Sequence, residues 1–162
     1  MSLSSRSGPR LIDPRGQRFG AGLSALALAL AVLLQSPLLV ALVALALGVS
    51  SLIDTRAFVF GRPWPTVMRL LRSGPSAYLE PEFGPRFAQA LGFLFLAVGV
   101  VLLVAGLTPL GWLAIVAVIG LQATLALTGY CLGCKLYGLS WWLPAQFDRF
   151  VLHRDREVEP AA

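Results

Sequence analysis

The chain has 162 residues, of which 57% are hydrophobic and only 13% charged, and its mean hydropathy is +0.76. That composition excludes an ordinary water-soluble domain and points to an integral membrane protein with one bundle and no second domain. A net charge of +5 with a pI near 10 would suit nucleic acid, but no nucleic-acid-binding motif accompanies it, so no nucleic-acid partner is expected.

Residues 1–12 are Ser-, Gly- and Arg-rich within an N-terminal segment 1–18, and Asp13 in Asp13-Pro14-Arg15-Gly16-Gln17-Arg18 reads as a turn-former that starts the first helix. Four apolar runs follow, predicting spans near 19–35, 37–53, 87–106 and 110–130. At about 1.5 Å of rise per residue the longer ones reach across a bilayer core of roughly 30 Å. The first run resembles a signal peptide, yet no Ala-x-Ala cleavage site follows and a second span begins at once, so it is read as retained. Ser36-Pro37 and Thr108-Pro109 each place a capping residue before a proline at the first helical position. The fold class expected is all-α: a polytopic membrane protein with four transmembrane helices in two helical hairpins.

All thirteen Lys and Arg residues fall in three segments: before the first span, between spans two and three, and from Lys135 onward. This is the positive-inside pattern, which predicts both termini and the middle loop in the cytoplasm. Within that loop, residues 66–73 put Val67, Leu70 and Leu71 on one side and Arg69 and Arg72 on the other, as a segment lying in the headgroup plane would. Arg18-Phe19 leads into span one as Arg86-Phe87 leads into span three, and Ser36-Pro37-Leu38 matches Thr108-Pro109-Leu110. The two hairpins therefore read as parallel repeats about an axis along the membrane normal.

The fourth span runs into Tyr130-Cys131-Leu132-Gly133-Cys134-Lys135, which holds both cysteines of the protein. Their spacing satisfies a dithiol redox site, in which Cys131 attacks and Cys134 resolves. The pair could instead be small buried thiols, or bind a metal with a second chain supplying two more sulfurs. Lys135 would favour thiolate, while the negative end of a helix continuing through Cys134 would oppose it. Gly129 and Gly133 would break that helix or allow close packing. Besides Lys135, two further residues, Gln122 and Asp54, are candidates to support the site by position. Gln122 lies about 13 Å deeper by helical rise and could bond a neighbouring helix or a ligand. Asp54, placed near the cysteines by the repeat, could accept a proton or simply pair with Arg56 at the surface. Thr124 and Thr128 are expected to bond their own helix. Trp141 and Trp142 read as interfacial anchors in a cytoplasmic tail from 138 to 162, and His153 as a solvated side chain. No metal site within the chain, phosphate loop or serine nucleophile elbow is present.

Three strings, Ile12 to Phe19, Gly84-Pro85-Arg86-Phe87-Ala88-Gln89 and Cys131-Leu132-Gly133-Cys134 with Tyr137, resemble the small bacterial four-helix membrane proteins grouped as domain of unknown function 4395. The likeness covers about residues 11–137, and the extension beyond is a departure from it. It implies the bacterial cytoplasmic membrane, a membrane domain at 19–137, and thiol or sulfur chemistry with a thioredoxin-like or sulfurtransferase partner. With one cysteine pair beside the cytoplasm and none outside, a stand-alone transmembrane thiol relay is disfavoured. The expectation is a thiol-disulfide oxidoreductase or sulfur handler that exchanges with a soluble cytoplasmic thiol protein, passing electrons to a quinone or sulfur to a second membrane partner; no other cofactor is expected. The alternatives are a non-catalytic membrane scaffold and a subunit of a sulfur-compound transporter, in either case with room for a homo-oligomer.

Overall fold

Asp13 starts the first helix as expected, its carboxylate accepting the N–H of Arg15 at 2.8 Å, with Pro14 at the first helical position. In this computed structural model, which describes residues 11–53, 58–72, 74, 76 and 78–139, helix α1 spans Pro14–Leu33 and α2 spans Pro37–Leu52. The middle loop contains a 3₁₀ turn at Val59–Gly61 and the short helix α3, Trp64–Leu70. Then come α4 (Phe83–Val104), α5 (Thr108–Thr128) and α6 (Leu132–Leu139). A two-residue antiparallel bridge, β1 (Leu11–Ile12) on β2 (Glu80–Pro81), ties the start of the chain to the end of the loop. Asp54, Arg56, Trp141, Trp142, His153 and the tail beyond 139 lie outside the described residues.

Helices α1, α4 and α5 are long and apolar enough to cross a membrane. The second expected span, α2, is also apolar but has 16 residues, about 24 Å of helix. Only 22% of the apolar window of α4 and 17% of that of α5 is buried. Leu94, Val101, Val104, Leu113 and Leu127 point outward, a surface that water would not tolerate and lipid would. The chain is a helical membrane protein.

The bundle pairs α1 with α5, α5 with α4 and α4 with α2. Leu28, Val40, Leu96 and Ile115 are fully buried between them. Between α4 and α5, Gly99 and Gly111 set the spacing: a Cβ at Gly111 would meet the Gly99 carbonyl at 2.9 Å, so the two backbones touch.

The chain turns between α1 and α2 and between α4 and α5 by the same device. After α1, Gln35 takes a left-handed conformation (φ 49°), its N–H bonds the Val32 carbonyl and that of Ser36 bonds Ala31. After α4, Gly106 (φ 84°) bonds Leu103, and Leu107 bonds Leu102. These are paired six-to-one and five-to-two closures of a helix end. They fix the residue after the left-handed one as the cap of the next helix. Ser36 therefore caps α2, its hydroxyl accepting from the N–H of Leu39 at 3.4 Å. At the other turn the cap is Leu107, and the expected cap Thr108 is already helical, so Ser36 corresponds to Leu107 rather than to Thr108. The third expected span also starts early, at Phe83 rather than 87, which brings Arg86 inside α4.

Candidate functional site

Helix α5 does not run through the cysteines. Gly129 closes α5 in a left-handed conformation (φ 75°), its N–H on the Leu125 carbonyl. Tyr130 and Cys131 then lead into a new helix, α6. Cys131 stands at the start of this helix: the N–H of Cys134 is donated to its sulfur at 3.2 Å, and that of Lys135 to its carbonyl at 3.1 Å. The two cysteines are joined as a disulfide, with Cα atoms 5.2 Å apart. Of the two courses open to the chain here, it takes the break at Gly129 rather than a helix continuing through Cys134, and Cys131 stands at the positive end of α6. Lys135 is exposed, with its ammonium 6.0 Å from the centre of the Tyr130 ring.

Helix α6 is held on the first turns of α4 by small residues. A Cβ on Gly133 would come within 2.8 Å of the Ala88 Cα, and one on Gly84 would sit 3.5 Å from the Cys134 Cβ. Gly84 and Ala88, one turn apart, therefore form the shelf on which the cysteine helix rests.

Two arginines close the C-terminal ends of α2 and α5. Arg86, 5% exposed, donates from Nε to the Ser51 carbonyl (3.1 Å) and from Nη2 to that of Leu52 (3.2 Å), and lies 3.7 Å from Glu82. It neutralises the C-terminus of α2. Arg18, exposed on α1, donates to the Ala126 and Leu127 carbonyls of α5 at 3.3 and 3.1 Å. Below each arginine a serine meets a glutamine: Ser50 Oγ donates to Gln89 Oε1 at 2.5 Å, and Ser24 Oγ donates to Gln122 Oε1.

A cavity of about 230 Å³ lies under α6. Ala21, Leu47, Phe58, Gln89 and Val118, all buried, form its floor. Phe95, Leu121, Leu132 and Leu136, all exposed, form its rim on the flank between α4, α5 and α6. Cys131 lines it together with Gln17 and Gln122. Of the residues singled out by sequence, Cys131 and Gln122 thus face one cavity, Cys134 packs beside it on Gly84, Lys135 points to Tyr130, and Asp54 is outside the described residues. The expected interhelical bond of Gln122 is present, to Ser24, and Thr124 and Thr128 bond their own helix as expected, at 2.8 and 2.7 Å. Gln17 and Gln89 were missed. Their signal was a lone amide in each of the first two recurring strings, one at the mouth of an apolar helix and one inside it.

Asp13 adds a second task to its helix cap by accepting the Trp64 indole N–H at 3.4 Å, while the Trp64 ring covers Gly16 and packs at 5.5 Å on Phe19. The three strings picked out by sequence therefore meet at one end of the bundle, and each contributes a cavity-lining residue: Gln17, Gln89 and Cys131. Among the described residues no cluster of His, Cys, Asp or Glu could hold a metal ion. No curated protein and no solved structure matches the chain. The family described as Domain of unknown function (DUF4395) matches residues 12–141, and the protein belongs to it.

Proposed function

We propose that Cys131 and Cys134 form a dithiol/disulfide site that exchanges electrons or sulfane sulfur with a soluble thioredoxin-like or sulfurtransferase protein. The observation that carries this reading is the position of Cys131: at the start of α6, with the Cys134 N–H on its sulfur. That backbone donor and the helix dipole both favour a thiolate there, the form that attacks and leaves in disulfide exchange. A partner thiolate attacks the Cys131 sulfur, the Cys131–Cys134 bond breaks and Cys134 leaves as thiolate. The second thiol of the partner then attacks the sulfur of the partner in the mixed disulfide and frees Cys131, so two electrons have passed from partner to disulfide. In the reverse direction the same mixed disulfide on Cys131 is formed.

The reading includes α2 as a fourth span, both termini on the cytoplasmic side of a bacterial inner membrane, and two halves related by a pseudo-two-fold axis. The charge distribution supports the orientation, and the equivalent placing of Arg18 on α5 and Arg86 on α2 supports the repeat. Reporter fusions at Gln35 and Leu107 should score outside and fusions at Arg72 inside.

Trapping tests the chemistry. In cells, Cys134→Ser should accumulate a mixed disulfide or persulfide on Cys131 that mass spectrometry identifies, and Cys131→Ser should not. If neither single variant is labelled by a thiol reagent and the native pair is always reduced, the cysteines are packing residues.

A further inference from the structure

Gln89 is 4% exposed, and its amide is half used. Its oxygen accepts the Ser50 hydroxyl, while its Nε2 is buried without a hydrogen-bond partner among the described residues. A buried donor left unsatisfied is destabilising and rare in native interiors, so it calls for a ligand. Gln89 belongs to the floor of the cavity, whose walls are otherwise mostly aliphatic and aromatic. On the facing helix, Gln122 is bonded to Ser24 and lines the same cavity. Two amide side chains thus come from α4 and α5 to one apolar chamber, which Cys131 also lines.

The ligand these features describe is apolar, presents carbonyl acceptors, and enters from the flank, where the rim is exposed leucine and phenylalanine. At about 230 Å³ the chamber is below the roughly 300–1,000 Å³ of pockets for drug-sized molecules, so it takes a ring and leaves any tail outside. A 1,4-quinone has two carbonyls at opposite ends of one flat ring and accepts two electrons, the number a dithiol releases. We propose that the cavity is a quinone site, with the free N–H of Gln89 on a ring carbonyl and Cys131 as the sulfur that passes electrons to the ring. This rests on the dithiol reading for its redox step. The Cys131 thiolate adds to a ring carbon, forming a C–S bond; the Cys134 thiolate attacks the Cys131 sulfur, forming the disulfide and breaking C–S; the bonding pair stays on the ring. The two protons of the former thiols complete the hydroquinone, so dithiol plus quinone gives disulfide plus hydroquinone. The soluble partner supplies the next pair of electrons. When the ring is reduced its oxygens become O–H donors, and Gln89 can meet them by turning its amide over, with Ser50 then accepting instead of donating.

The test separates binding from thiol chemistry. The full chain carrying Cys131→Ser and Cys134→Ser, reconstituted in phosphatidylcholine vesicles, is photolabelled with an azido-ubiquinone in competition with decylubiquinone. Labelling should saturate, be competed, and fall on peptides of α4 to α6. Adding Gln89→Met, which keeps volume and removes the donor, should weaken competition about three- to tenfold. Leu125→Trp, which fills the chamber from α5, should abolish it, with circular dichroism reporting the retained helices. Labelling that does not saturate, or that neither substitution alters, overturns the quinone site. Trapping on Cys131 without quinone binding overturns this inference alone, whereas binding without trapping leaves the site standing and overturns the dithiol reading.

Discussion

The two arginine-capped helix ends do the same electrostatic task in different surroundings. At α2 the cap, Arg86, is buried and faces Glu82; at α5 the cap, Arg18, is exposed and lies against Gly129. The α2 end is an interior structural joint. The α5 end stays open: Gly129 turns the backbone out of the helix, and the next eight-residue helix brings the cysteine pair back over α4. One helix end is closed inside the bundle, while the other leaves room beside its cation for the cysteine helix.

That contrast can be broken at either end, and the largest effect belongs to the buried one. Arg86→Ala removes the donor from two α2 carbonyls and the cation beside Glu82, and should cost about 3 kcal/mol or more, read as the loss of thermal stability in detergent. Next is Gly133→Leu, whose side chain has no space against Ala88. Overpacking of this kind costs about 1–3 kcal/mol, and lifting α6 should speed alkylation of reduced Cys134; an unchanged rate would mean that the shelf does not hold the helix. Arg18→Ala should cost at most about 1 kcal/mol, since the cap is solvated, and a loss as large as that of Arg86→Ala would erase the distinction drawn between the ends. The smallest change is a gain. Gln35 occupies the left-handed position that Gly106 fills in the other turn, so Gln35→Gly should stabilise by up to about 1 kcal/mol, and a lower midpoint of unfolding would count against that equivalence.

Local rules made much of the fold legible. Asp13, Ser36 and Pro37 announced their helix starts because capping depends on neighbours in sequence, and the spans announced themselves by apolar length. Thr108 misled because the cap of α5 is set by how α4 ends, through the left-handed Gly106, and that constraint outranks the preference of threonine for caps. Glycine 129 showed that a break was available, but only the structure shows that a new helix begins at Leu132 and reverses the dipole at Cys131. The cysteine pair was plain from spacing. The cavity was not: Gln17 and Gln89 acquire meaning only when α1 and α4 converge, 72 residues apart in the chain. Arg86 likewise reads in sequence as a charge at the start of a span, whereas its partners are carbonyls of α2, chosen by packing.

The rim of Phe95, Leu121, Leu132 and Leu136 opens the chamber on the flank of the bundle rather than at its end. A site that opens on lipid is supplied in two dimensions. Its occupancy follows the number of ligand molecules per lipid, not per volume of buffer, so diluting vesicles at a fixed ratio of ligand to lipid leaves it unchanged, whereas adding empty vesicles drains it.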